Sequence, residues 1–205
     1  MKRASNSVFK LGITGGIGSG KTSVCRVFNI LGIPVFSADQ EAREIMETED
    51  GIIRRVNSIT GRDLYSGGSL DRKELATLIF NDPALLKKVN SLVHPVVIDH
   101  FLRWEKLQSS HYVIMEAAIL FESGASKYVD KIAVIIAPPE ERLERVIQRS
   151  NFTKEQVLER MRNQMEDEER IKLSDYVINN SENDMIIPEI LKIHEDILLT
   201  INSGI

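Results

Sequence analysis

A mostly apolar run over residues 8–13 gives way to a glycine-rich stretch, and Val24, Val27, Phe28 and Leu31 then recur at helical spacing. The pattern predicts a buried strand, a turn and an amphipathic helix over 23–31. Gly32-Ile33-Pro34 ends that helix, and Val35-Phe36 forms a short second strand followed by Ser37-Ala38-Asp39. Residues 40–60 predict a helical stretch with Ala42, Ile45 and Met46 on one face and Ile52, Ile53 and Val56 on another. Gly61 and Gly67-Gly68 punctuate a polar loop, and Leu75, Leu78 and Ile79 mark a helix over 70–80. Asp82 is placed to cap a further helix that opens at Pro83 and runs to about 107. Pro95 should bend or interrupt it after His94.

In the second half, residues 112–115 read as a strand ending in Glu116, followed by the apolar patch Ile119-Leu120-Phe121. Residues 131–136 are continuously apolar after Lys131, as expected of a strand covered on both faces. Pro138-Pro139 leads into a helix through about 149. Arg142, Arg145 and Arg149 fall on one of its faces, and Leu143, Val146 and Ile147 take the other. Thr153 and Gln156 form a capping box for the next helix, and the acidic run 166–169 is expected to be solvated. Residues 176–178 make a last strand. The terminal helix spans about 183–201, with Pro188 delaying its first turn. Strands alternating with helices predict an α/β protein with a central parallel sheet. The helical stretch between the second and third strands is an insertion suited to hold an acceptor. A second excursion from residue 149 is suited to act as a lid.

At 205 residues the chain suggests one domain, and its 42% hydrophobic and 27% charged content suits a globular protein with a sizeable core. A net charge of −4 provides no global basic field, so neither nucleic acid nor a membrane is an expected partner. No apolar stretch is long enough to span a bilayer. The single cysteine, Cys25, excludes an internal disulfide and reads as packing, which suits a reducing cytoplasm. Met1-Lys2-Arg3 is basic, as in a signal peptide, but the apolar run after it enters the glycine loop directly. The triplets Asn151-Phe152-Thr153 and Asn179-Asn180-Ser181 read as chance matches to a glycosylation acceptor. A monomer or small homo-oligomer is expected.

The chemistry centres on Gly15-Gly16-Ile17-Gly18-Ser19-Gly20-Lys21-Thr22, which fits G-x-x-x-x-G-K-[ST] between a strand and a helix N-terminus. Such a loop turns backbone N–H groups toward an anion, and the helix dipole adds positive potential. Lys21 can neutralise β- and γ-phosphate charge, and the Thr22 hydroxyl can ligate Mg²⁺. Residues 15–23, through Ser23, are therefore candidate ATP contacts, with Arg145 and Arg149 as cations over the transferring phosphoryl group. Asp39, after the second strand, is either a base for an acceptor hydroxyl or the cap of a helix beginning near Gln40. Glu116 is a candidate metal-side carboxylate acting through Mg²⁺-bound water, with a surface acid as its alternative. His94 is a candidate phosphate or ribose contact, or a structural histidine beside a helix kink.

A phosphate loop states nucleotide binding and not reaction. The guanine signature N-K-x-D is absent, and a small chain with an acceptor insertion and an arginine-bearing lid fits a metabolite kinase. The residues resemble the dephospho-coenzyme A kinase family across 11–180. The resemblance is carried by the loop from Ile13 to Thr22, Ala38-Asp39 with Ala42-Arg43, Leu70-Asp71-Arg72, His94-Pro95, Leu120-Phe121-Glu122 and Gln148-Arg149. It continues through Gln156-Val157, Arg160-Met161, Gln164 and residues 175–180. It implies a P-loop NTPase-type three-layer fold, with core segments 8–39, 111–148 and 174–205, a helical coenzyme-binding insertion at about 40–110 and a lid at about 149–173. It also implies transfer of the ATP γ-phosphoryl to the ribose 3′-hydroxyl of dephospho-coenzyme A, the last step of coenzyme A synthesis. By that likeness Asp39 is the base or orienting group, Arg149 the lid arginine and His94 an acceptor contact, with Arg43 and Arg72 also on the acceptor side. Two departures stand out. The family commonly has Asp-Ala-Asp where this chain has Ser37-Ala38-Asp39. It commonly has Asp-x-Pro-Leu-Leu-Phe-Glu where Glu116 and Ala118 occur here. A nucleotide-dependent switch and an adenylate- or nucleoside-kinase-like enzyme are the alternative readings. Acceptor-dependent ADP release separates the first from a kinase, and an acceptor panel separates the second.

Overall fold

The computed structural model describes residues 8–150 and 152–203; Met1-Lys2-Arg3 and Asn151 lie outside them. By its contacts the chain divides into two units, one of residues 1–37 with 105–205 and one of residues 38–104.

The first unit is built on a five-stranded parallel sheet of β1 (Phe9–Thr14), β2 (Val35–Ser37), β3 (Tyr112–Glu116), β4 (Lys131–Ile136) and β5 (Tyr176–Asn179). The spatial order is β2-β3-β1-β4-β5, so β1 lies in the centre, paired with β3 and β4. Helices α1 (Lys21–Ile30) and α9 (Ile186–Asn202) supply Val24, Phe28, Ile190, Ile193 and Ile197 to one core. That core takes Leu11 and Ile13 of β1 together with Ile114, Ile135 and Ile178. The alternate residues of β1 face the other way, where a Cβ on Gly12 would stand 2.8 Å from the Leu120 side chain. Cover on both faces explains why β4 is a continuous apolar run after Lys131 rather than an alternating one. Cys25 is buried in the core, and burial pushes its thiol up to about 12. Its packing role stands.

On the C-terminal side of the sheet, α6 (Pro139–Arg149), α7 (Lys154–Arg162) and α8 (Asp167–Lys172) follow one another between β4 and β5. The α7 capping box forms as expected: Gln156 N donates to Thr153 Oγ1, and Thr153 N donates to Gln156 Oε1. Pro188 lies in the first turn of α9, where a missing backbone donor costs nothing.

The second unit is helical, with α2 (Ala38–Thr48), α3 (Asp50–Thr60), α4 (Arg72–Asn81) and α5 (Pro83–Glu105). Three expectations are corrected here. The stretch 40–60 is two helices, because Glu49 takes an extended backbone and starts α3 anew. The two apolar faces seen in the sequence therefore belong to separate elements, one burying Ile45 and the other Ile52 and Val56. Pro95 does not interrupt α5. One lost backbone bond is outweighed there by burial of Val93 and Val97 on either side of it. Asp39 does not cap α2; Ala38 already begins the helix, and Asp39 sits inside its first turn, where a carboxylate complements the dipole. Asp82 does cap α5, its Oδ1 accepting from Ala84 N at 2.9 Å and Leu85 N at 3.0 Å.

Candidate active site

The phosphate loop connects β1 to α1 at the C-terminal edge of the sheet, where ligands of open α/β folds bind. Glycine is required by more than turning. Gly20 has φ +99°, and a Cβ there would meet Asn180 Nδ2 at 2.0 Å. That amide donates to Ser19 O at 2.7 Å, tying the end of β5 to the loop. Gly18 has φ +81° and presses on the Arg142 carbonyl oxygen, 2.4 Å from where a Cβ would be. Ser19 N donates to Gly16 O, and Ser23 N to Gly20 O, which closes the turn and begins α1 at Lys21. An α-helix leaves its opening N–H groups without intrahelical acceptors, so the start of α1 at Lys21 is suited to an anion.

Lys21 Nζ donates to Gly15 O at 2.8 Å, so its cation rests on the loop's own carbonyls. Thr22 and Ser23 are exposed on the first turn. The hydroxyls of Thr14 and Ser19 are buried with no hydrogen-bond partner among the described residues. A loop with spare buried hydroxyls and a cation resting on its own carbonyls suits an anionic ligand. Glu116 ends β3, one strand over from the loop, and Ser37 Oγ donates to its Oε2 at 2.9 Å. The Ser37 departure thus has a visible consequence, since the hydroxyl orients that carboxylate. Among the described residues no three His, Cys, Asp or Glu side chains cluster as a metal site. Hard oxygen donors from Thr22 and Glu116 nevertheless fit Mg²⁺, which takes one or two protein oxygens and completes its shell with phosphate and water.

The arginines of α6 do not share one environment, which corrects the face assignment. Arg142 is buried beside Val146, and Ile147, expected on the apolar face, is exposed. Arg142 is 5% exposed, and its Nε donates to Ile17 O at 3.0 Å. Burial pushes its guanidinium down from the ordinary value, opposed chiefly by Asp167. Arg145 is half-buried, donating to Asn180 O and Glu141. Arg149 is exposed at the end of α6. Within the acidic run Glu166, Glu168 and Glu169 are exposed as expected, but Asp167 accepts from Arg142 Nη1 at 2.8 Å and from Arg170 Nη1 at 2.9 Å, and Arg170 is fully buried. Gln164, placed between α7 and α8, accepts Ile17 N–H at 2.8 Å. The burial of Arg142, and the parts played by Asp167 and Arg170, escaped the sequence reading because a charge run is ordinarily solvent-facing. The available signal was the four-residue spacing of Arg142 from Val146. Beside the loop a cavity of about 610 Å³ is lined by Pro138, Arg142, Met161, Met165, Asn180 and Ser181 among others.

Asp39, Arg43, Arg72 and His94 all belong to the 38–104 unit. Arg43 is exposed, and Arg72 forks onto Glu47, Nε at 3.1 Å and Nη2 at 3.0 Å. His94 and Asp39 are both half-buried and close enough for the carboxylate to act on the ring. Burial pushes the His94 imidazole below its ordinary value of 6.5, against the pull of Asp39. The unfolded chain takes up a proton there that the folded chain resists, so the His94 contribution to stability is complete above that pH and falls away below it. His94→Gln is expected to lose less thermal stability than the wild type between about pH 7.5 and about pH 5.5. Equal losses in the two proteins would show that the ring titrates as it does in the unfolded chain.

A glycine loop on a central parallel strand, opening a helix with Lys21 and Thr22, defines a P-loop kinase-type nucleotide-binding fold. The family model for dephospho-CoA kinase matches residues 9–185. A dephospho-CoA kinase of Bacteroides fragilis is 39% identical over 185 residues, covering 90% of each chain. The crystal structure of TT1252 from Thermus thermophilus superposes with a TM-score of 0.80 at 32% identity, over 94% of this chain and 97% of that one. Dephospho-CoA kinase from Campylobacter jejuni superposes at 0.67 with 26% identity, over 92% and 96%. The chain belongs to the dephospho-CoA kinase family, which carries out the final step of coenzyme A synthesis by phosphorylating dephospho-CoA. ATP is the phosphoryl donor implied by that family. No helix among the described residues is long and apolar enough to cross a membrane.

Proposed function

We propose that this protein transfers the γ-phosphoryl group of ATP to the ribose 3′-hydroxyl of dephospho-coenzyme A. The observation that carries the reading is the glycine loop with Lys21 at the start of α1, in a chain matched along most of its length by that family. In this reading residues 15–23 hold the triphosphate, with Lys21 leaving the Gly15 carbonyl for the phosphate oxygens. The cavity beside the loop takes the adenine base, whose ring suits a lining of proline and methionine side chains with polar Asn180 and Ser181. Thr22 and Glu116 are the residues that would hold Mg²⁺. When bound there, the metal would supply charge neutralisation on the phosphates. Asp39 accepts the hydroxyl proton or orients the hydroxyl, and Arg43, Arg72 and His94 contact the coenzyme. Phosphoryl transfer demands little covalent chemistry from protein groups, so their work is placement and charge. A single buried thiol fits a cytoplasmic setting.

The test is ADP release with and without dephospho-coenzyme A, with the phosphate position of the product assigned. Acceptor-dependent turnover giving a 3′-phosphate supports the reading. Turnover on AMP or nucleosides instead would favour a nucleotide-kinase assignment, and acceptor-independent slow hydrolysis would favour a switch.

Arg145 and Arg149, with the 149–173 segment, are proposed to close over the nucleotide. Amide hydrogen exchange in α7 should slow on saturation with a non-hydrolysable ATP analogue, and Arg149→Ala should depress turnover. Unchanged exchange together with a fully active variant would leave Arg149 a surface charge.

A further inference from the structure

The Ile17 peptide groups are held from both sides. Ile17 N–H donates to Gln164 Oε1 at 2.8 Å, and Ile17 O accepts from Arg142 Nε at 3.0 Å. Arg142 is in turn held by Asp167, whose carboxylate bridges it to Arg170. Arg170 lies 3.8 Å from Glu122 through Nη2, so two buried cations are set among Asp167 and Glu122. The loop is cut to fit this arrangement. A Cβ on Gly16 would stand 2.0 Å from Arg142 Nη2, and one on Gly18 would stand 2.4 Å from the Arg142 carbonyl oxygen. Burying a guanidinium is costly unless each donor finds an acceptor. For Arg142 the acceptors come from the phosphate loop and from α8, whereas Arg170 Nε and Nη2 are buried without a hydrogen-bond partner among the described residues.

We propose that Arg142 and Asp167 are positioning residues that clamp the phosphate loop at Ile17 and so set the affinity for ATP. The clamp rests on the loop being the ATP phosphate site. A loop whose peptides are already held binds an anion without first being ordered, and that saving appears in binding. Arginine suits the role because its planar fork serves two acceptors at once, the Ile17 carbonyl and the Asp167 carboxylate; lysine has no second donor plane. Gln164 and Asp167 lie in the same short stretch, so the clamp also makes the loop sensitive to the position of α8.

The test measures ATP affinity by direct titration and the KM for each substrate, in full-length wild type, Arg142→Lys, Asp167→Asn, Arg142→Gln with Asp167→Asn, and Lys21→Ala. Thermal unfolding is recorded for each. Asp167→Asn and Arg142→Lys are expected to weaken ATP binding about 10-fold and to raise the KM for ATP in step, the scale of one lost charge-assisted bond. The KM for dephospho-coenzyme A should move less than about 2-fold, and the double variant should resemble a single one because the two residues act as a unit. A purely structural role would lower the unfolding temperature and the active fraction without raising the KM for ATP. If both single variants bind ATP like the wild type while Lys21→Ala does not, the clamp is wrong. If Lys21→Ala itself binds ATP normally, the reading of the loop as the ATP site fails first. Should Arg142→Lys not fold, Asp167→Asn, which removes one charge at nearly constant shape, decides alone.

Discussion

Lys21→Ala is expected to cut kcat/KM for ATP by about 10²–10³-fold, the scale on which a lost charge-stabilising donor acts in a transition state. Phosphoryl transfer spreads charge over the equatorial oxygens of the group in flight, and a cation at the β- and γ-phosphates meets that charge as it moves. Lys21 is fixed at the first residue of α1, so the helix that begins there brings its ammonium to the anion-binding end. Its Nζ bonds to the Gly15 carbonyl in the structure, and the core beneath is formed by Val24, Cys25 and Phe28. The variant should therefore keep its thermal unfolding midpoint within a few degrees. Near-normal turnover would remove the loop from the mechanism, whereas loss of folding would leave the turnover data silent on it. Lys21→Arg, which keeps the charge on a wider head group, then supplies the comparison.

Asp39→Asn should retain ATP binding and lose acceptor phosphorylation by about 10²-fold or more, the effect expected for removal of a general base. A ribose hydroxyl is a weak nucleophile, and a carboxylate within hydrogen-bond reach both aims it and receives its proton. In a loose transition state the proton leaves late, so aiming carries much of the effect. The structure removes the rival account of this residue as a helix cap. Ala38 already belongs to α2, and Asp39 sits within the first turn. Asparagine keeps the shape and the helix while removing charge and basicity. ATP affinity by titration and 3′-phosphorylation by product analysis, on one preparation, give the answer. Wild-type phosphorylation would leave Asp39 a dipole-complementing acid. A loss of ATP binding would instead move it to the metal.

The order of elements was legible because it is written in short-range patterns. The apolar run of β4 announced a strand covered on both faces, and the capping box at Thr153 announced α7. The glycine loop could be read from eight residues because its geometry is almost wholly local: a strand, a set of turns that glycine permits, and a helix start. Where reading failed, the deciding term was long-range. Glu49 divides 40–60 into two helices, with Ile45 buried in one and Val56 in the other, a packing outcome that the neighbouring Asp50-Gly51 pair signals only weakly. Pro95 is a local breaker, yet the helix passes through it, because the packing on either side outweighs one missing backbone bond.

The arginines of α6 mark the limit most clearly. Spacing alone placed Arg142, Arg145 and Arg149 together, and composition placed the acids of 166–169 in solvent. The fold sends Arg142 inward to the Ile17 carbonyl and brings Asp167 to it from 25 residues away, while Arg149 stays exposed. Sequence by itself determined the α/β class, the position of the phosphate loop and the family, because each rests on residues that are neighbours along the chain or on their order. Tertiary structure alone decided which charges are buried and what holds the loop in shape, because a buried ion is tolerated only where distant segments deliver its partners.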